Sequence, residues 1–151
     1  MLDVESDVKE IQNPIKPEKF AGKIEFKNIY FKYPKREYIK EDGIVQSRKR
    51  AGEEHVLKNI NFTMEPGQRV AIVGPSGVGK TSLAQLLIRA YDPEKGQILI
   101  DSNNLKNLDL GNFRSAIGVV SQDIFLFDNS LRYNIAFGVR GQDASDEQLQ
   151  Q

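Results

Sequence analysis

Gly74, Pro75, Ser76, Gly77, Val78, Gly79, Lys80 and Thr81 run consecutively and fit the spacing G-x-x-x-x-G-K-[ST]. Each residue type answers a chemical need of an anion with several phosphate oxygens. Glycines let the backbone curl until successive N–H groups point at one centre. A helix that starts at the end of such a loop adds its positive N-terminal end to the same place. Lys80 is a compact charge on a long stem, able to reach back to the β- and γ-phosphates. The Thr81 hydroxyl is a hard oxygen ligand suited to Mg2+. The spacing predicts binding of a nucleoside triphosphate, ATP with Mg2+, and leaves the reaction open. A glycine-rich turn that merely caps a helix is the competing explanation, and the flanking elements argue against it.

Those elements read as follows. Before the loop, residues 69–73 form a short β-branched run ending at Gly74, which predicts a buried strand. After it, Leu83, Leu86, Leu87 and Ala90 fall at i, i+3, i+4 and i+7 and predict one helix face. Residues 98–100 and 117–120 read as further short strands. A strand, a loop, a helix and a later buried strand predict a β-α-β unit with a parallel sheet. Nearer the amino terminus the period is two. Ile24 and Phe26 alternate with charged neighbours, and Ile29, Phe31 and Tyr33 alternate one step out of phase, which predicts a bulge or break near Asn28. Ile60, Phe62 and Met64 predict a half-buried strand, and Glu65-Pro66-Gly67 a turn. The fold class expected is α/β: a P-loop NTPase core with a parallel sheet plus an antiparallel β subdomain.

Three segments lie outside that frame. Residues 1–22 are polar, with Pro14 and Pro17, and read as a linker without a core. Residues 34–55 form a charged insertion in which Asp42-Gly43 predicts a small hairpin with a two-residue turn. Its basic run Ser47-Arg48-Lys49-Arg50 reads as a solvated extension. At the other end, Ser145 followed by Gln148 predicts a capping-box helix start, and so few residues follow that a truncation is expected.

Composition excludes several function classes. The 151 residues are 39% hydrophobic and 28% charged, with zero net charge, as in ordinary globular domains. No global field favours nucleic acid, and no nucleic-acid partner is expected. There is no cysteine, so disulfides and thiol chemistry are excluded, and the single His55 argues against a histidine-rich metal site. No apolar run reaches the roughly 18 residues of a membrane helix, so a soluble chain is expected.

Several further strings carry a family resemblance. Phe31-Lys32-Tyr33-Pro34, Val56-Leu57-Lys58-Asn59-Ile60, Pro66-Gly67, the loop above and Tyr91-Asp92-Pro93-Glu94-Lys95-Gly96-Gln97-Ile98 occur in that order. Val120-Ser121-Gln122-Asp123, Phe125-Leu126-Phe127, Ser130-Leu131 and Asn134-Ile135 follow. Together they resemble the nucleotide-binding domain of an ABC transporter, of the exporter type found in lipid-flippase and multidrug half-transporters. The resemblance covers nearly the whole chain and implies a partial ABC ATP-binding domain over residues 23–151, truncated in the helical subdomain. Residues 1–22 resemble the connector from a membrane domain.

The resemblance also implies roles. Tyr33 matches the aromatic residue that stacks on adenine, with Tyr38 a competitor. Ser82 matches a residue near the α-phosphate. Gln122 matches the glutamine that touches Mg2+ and the attacking water, so Lys80 and Gln122 are the expected catalytic residues and Thr81 and Gln122 the expected metal ligands. His55 comes too early to match the family's switch histidine and reads as a loop residue. Where the family has glycine after the aspartate of the 98–100 strand, Ser102 follows Asp101, which bears on the local turn. No LSGGQ-type signature and no apolar run ending in Asp-Glu occur in the 151 residues. The implied partners are a transmembrane domain of the same transporter and a second nucleotide-binding domain, at the cytoplasmic face of the membrane. The expectation is a chain that binds ATP but does not hydrolyse it efficiently by itself. A non-hydrolysing nucleotide-binding or interaction module is the alternative, and a small P-loop kinase is disfavoured by the Tyr33 and Gln122 contexts.

Overall fold

A computed structural model describes residues 8–34, 37–39, 45–47, 54–120 and 126–137. Gln122 and the proposed helix start at Ser145 lie outside these residues. In chain order the elements are β1 (Ile24–Phe31), β2 (Glu37–Ile39), β3 (Val45–Ser47), β4 (Leu57–Met64), α1 (Lys80–Leu87), β5 (Lys95–Ile100), β6 (Asn103–Asn104), a 3-10 turn (Leu105–Asn107), α2 (Leu110–Ser115) and α3 (Leu131–Ala136).

One four-stranded sheet has the order β4-β1-β5-β6. Every ladder in it is antiparallel. The period-two reading holds here. β4 pairs with β1 from Ile24–Met64 to Phe31–Leu57, and the pairing shifts register between Phe26 and Ile29. Asn28 sits at that shift with φ 51, and its N–H donates to Asn61 Oδ1 at 2.8 Å. The bulge thus swings Ile29 and Phe31 onto the face that Phe26 occupies. All three are buried, with Leu57, Leu86, Ile98, Ile100, Leu105, Leu108 and Phe113 completing the core. Gly96 lies under the bulge, where a Cβ would run into the carbonyl oxygens of Lys27 and Asn28. The Glu65-Pro66-Gly67 turn forms as expected, with Gly67 at φ 74 and Gln68 N–H donating to Glu65 O at 3.1 Å.

Three expectations about strands and helix are corrected. Residues 69–73 and 117–120 run without strand pairing among the described residues. Val73 is 86% and Val120 99% exposed. A parallel strand is stable only with pairing neighbours and cover on both faces, and among the described residues no strand pairs with either run. The 98–100 strand belongs to β5 and pairs antiparallel with β1, so it extends the antiparallel sheet. Helix α1 ends at Leu87, and Ala90 is exposed beyond it. The stop comes from Arg89, which turns to φ 51 and is itself buried.

β2 and β3 form a hairpin, but with Tyr38 opposite Gln46 and Ile39 opposite Val45 its register differs from that of a two-residue Asp42-Gly43 turn, and the turn itself lies outside the described residues.

The amino-terminal segment is not the coreless linker expected: its described part packs against residues 101–113. Val8 is buried, and Phe20 meets Phe113 edge-on at 5.9 Å. Ile15 exchanges backbone hydrogen bonds with Asn107 and Asp109. The Asp101 carboxylate accepts N–H groups from Ala21 (2.7 Å), Gly22 (3.0 Å) and Lys23 (2.8 Å). Asp101 and Ser102 are both at positive φ, 48 and 67, between the paired residues Ile100 and Asn103. That is the two-residue hairpin geometry that favours glycine at the second position. Ser102 keeps the turn without it.

Candidate functional site

The loop between residues 74 and 81 has the backbone its glycines permit. Gly74, Gly77 and Gly79 take φ of 156, 81 and 104. Gly79 is buried, and a Cβ there would lie 2.7 Å from Leu57 Cδ2 and 3.3 Å from Val56 Cγ1. The start of β4 therefore presses against the loop, and only glycine lets helix and strand approach so closely.

Gly79 is also the N-cap of α1, and no side chain caps the helix. The first intrahelical bond runs from Leu83 N–H to Gly79 O at 3.1 Å. The N–H groups of Lys80, Thr81 and Ser82 precede it and have no intrahelical acceptor. Lys80 folds back over the loop, with Nζ donating to Gly74 O at 2.8 Å and Pro75 O at 2.7 Å. One short loop thus gathers a glycine-shaped backbone, an uncapped helix N-terminus and an ammonium. This donor set fits a polyphosphate. Thr81 is exposed in the first turn, beside those donors, where a hydroxyl can serve a hard cation. Among the described residues there is no cluster of His, Cys, Asp and Glu able to hold a metal by itself.

Tyr33 is brought to the same helix. Its hydroxyl donates to Gln85 Oε1 at 2.7 Å and lies 2.8 Å from Ser82 Oγ. Its ring packs edge-on against Phe31 (4.9 Å) and Tyr91 (5.3 Å). Ser82 is only 3% exposed, so its hydroxyl is engaged with Tyr33 inside the fold. Tyr38 lies in β2, and its side chain is outside the described residues.

A family model described as ABC transporter matches residues 57–151. The chain belongs to the ABC transporter family. The human protein named ATP-binding cassette sub-family B member 5 is 38% identical over 135 residues, covering 89% of this chain and 9% of that protein. The mitochondrial iron-sulfur clusters transporter ATM1 of Kluyveromyces lactis is 36% identical over 148 residues, covering 91% of this chain and 18% of that protein. A bacterial Atm1-family ABC exporter, solved with ATP bound, superposes with a TM-score of 0.75 at 35% identity, over 96% of this chain and 22% of that one. This ABC transporter chain therefore spans under a fifth of the length of these two curated relatives, and it has the ABC ATPase fold. No helix among its described residues is long and apolar enough to cross a membrane.

Several residues of this ABC transporter chain escaped the sequence reading. Arg89 is 1% exposed and donates to Asp92 Oδ1 (3.2 Å), Leu105 O (3.4 Å) and Lys9 O (3.0 Å). Arg114 caps the same corner by donating to Ile88 O and Arg89 O. A charge three residues after Leu86, on the apolar side of the helix, was the available signal. His55 is more than a loop residue: its Nε2 lies 3.0 Å from Glu94 Oε2, and its ring meets Tyr30 edge-on at 5.6 Å. Lys32 Nζ lies 3.3 Å from the same Glu94 oxygen. The hydrogen bond from Lys32 holds the Glu94 carboxyl below the usual carboxylate range. Partial desolvation opposes this, and the charges of Lys32 and His55 add to it.

Proposed function

We propose that the chain is the ATP-binding part of an ABC exporter ATPase, which powers transmembrane transport by ATP binding and hydrolysis. The observation that carries this reading is the loop geometry: positive-φ glycines, an uncapped helix start and Lys80 converge within residues 74–81. Two of the relatives are described as a transporter and an exporter, and they supply the direction of the reading.

In this reading the loop N–H groups and Lys80 hold the β- and γ-phosphates, and Lys80 stabilises the charge that develops on the transferred group. Ser82 would donate to the α-phosphate, and it could do so only by exchanging its bond to Tyr33. Thr81 and Gln122 would hold Mg2+, which would supply positive charge against that of the phosphate oxygens. Gln122 also orients the attacking water. Tyr33, with its ring beside the phosphate-loop helix, stacks on adenine. In this reading the general base would come from outside these residues. Residues 1–151 by themselves would bind ATP and turn it over poorly. The partners in this reading are a membrane domain of the same transporter, joined through the amino-terminal connector, and a second ATP-binding domain, at the cytoplasmic face of the membrane.

Phosphate release by the full transporter, compared with its Lys80→Ala variant, tests the reading. Loss of most of the MgATP-dependent rate is expected. A rate independent of Lys80 would overturn it.

A further inference from the structure

Tyr33 is fixed at both ends. A phenol carries one proton, and the geometry gives it to Gln85 Oε1 at 2.7 Å. The neighbouring Ser82 Oγ, 2.8 Å away, must then donate its own proton to the Tyr33 oxygen. The result is a directed chain, Ser82 to Tyr33 to Gln85. At the other end, Phe31 and Tyr91 grip the ring edge-on. A tyrosine ring has two rotatable side-chain bonds, and this combination of tip and body contacts fixes both.

Ser82 and Gln85 stand three residues apart on α1, so they share one side of that helix. The same helix begins at Lys80, in the phosphate loop. Tyr33 comes from a different segment, just past β1 and before the long 34–55 excursion. In a nucleotide, one sugar fixes how far the base can lie from its phosphates. A stacking platform carried by a separate segment is useful only if it is held in register with the phosphate loop. We propose that Gln85 is a positioning residue for nucleotide recognition: by accepting the Tyr33 proton it registers the aromatic platform to the phosphate-loop helix. This rests on the reading that Tyr33 stacks on the base. The gain is preorganisation, since ring and loop are already aligned before the ligand arrives.

The test compares two ligands that share phosphates but not a base: MgATP and magnesium tripolyphosphate, titrated calorimetrically into the full chain. Gln85→Leu and Tyr33→Phe are expected to weaken MgATP roughly three- to ten-fold, the worth of one hydrogen bond. Tripolyphosphate affinity is expected to stay within about two-fold in Gln85→Leu, which leaves residues 74–81 and the Ser82–Tyr33 contact in place, and not to fall in Tyr33→Phe, where Ser82 loses a competing partner. Gln85→Glu keeps an acceptor at the same reach and is expected to retain the native ratio of the two affinities. Tyr33→Leu is the control on the stacking reading and is expected to weaken MgATP at least as much as Gln85→Leu. If Tyr33→Leu leaves the ratio unchanged, stacking itself is wrong and the role of Gln85 falls with it. If Tyr33→Leu weakens MgATP selectively while Gln85→Leu and Tyr33→Phe do not, stacking stands and the tether is overturned. Equal loss of both ligands in Gln85→Leu, or tighter MgATP binding, also overturns it.

Discussion

Arg89 Nη2 donates to the carbonyl oxygen of Lys9 at 3.0 Å, across 80 positions of sequence. A residue two places past α1 therefore holds the amino-terminal segment, and it does so from a site 1% exposed. The same guanidinium satisfies Asp92 and Leu105 O. A buried cation with three acceptors is stable because each acceptor is directed at a separate N–H of a planar fork.

Removing that fork takes a donor from each acceptor, although Leu105 O keeps the Leu108 N–H at 3.3 Å. Arg89→Met is expected to destabilise the fold by about 3 kcal/mol, in the range for breaking a buried charged network. Arg89→Lys is expected to recover less than half of this, since one ammonium cannot reproduce the fork. Denaturant unfolding measures the loss. Faster proteolysis within residues 8–22 would show that the segment comes away from the sheet edge.

The Asp101–Ser102 turn gives substitutions of opposite sign. Asp101→Ala strips the acceptor from Ala21, Gly22 and Lys23. It is expected to cost about 2 kcal/mol, as hydrogen bonds to a charged group do. Ser102 sits at φ 67 in a conformation that L side chains disfavour by about 1–2 kcal/mol. Ser102→Gly relieves that strain at some cost in unfolded-chain entropy and is expected to stabilise by roughly 0.5 kcal/mol. Thermal unfolding of the two variants, moving in opposite directions, is the check.

Glu94 predicts a pH dependence. Its carboxyl is held below the usual range by the Lys32 hydrogen bond, against partial desolvation and with added help from the charges of Lys32 and His55. A lowered pKa in the folded state means that the unfolded chain binds the proton more readily. The contribution is thus fully present above the ordinary carboxylate range, about pH 4.3, and fades as pH falls through the lower folded value. The Tm of the native chain is expected to exceed that of Glu94→Gln at neutral pH, and the gap is expected to close on acidification below about pH 4. A gap that widens with acid would contradict the assignment.

The sequence showed what is local and hid what is not. The bulge at Asn28 was readable because a shift of one residue in a period-two pattern must be absorbed somewhere, and Asn tolerates φ 51. The Gly67 turn and the glycine-shaped backbone of residues 74–81 were readable because their residues are adjacent in sequence. The 69–73 and 117–120 runs looked like strands by composition, yet a strand exists only through its pairing partner. The helix was read one turn too long because periodicity carries on through Ala90, while Arg89 leaves helical φ to reach Lys9 and Leu105. At the site, the loop was visible in full. Gln85 was not, since its bond to Tyr33 spans 52 positions and no spacing rule connects them.

Phosphate binding by residues 74–81 is tested most directly by calorimetric titration of MgATP into the full chain and its Lys80→Ala variant. Saturable binding by the native chain is expected, with affinity lower by at least about ten-fold in the variant, the loss of one charge-assisted contact to phosphate. Equal affinity in the two proteins, or no binding by the native chain, would contradict the assignment of this loop.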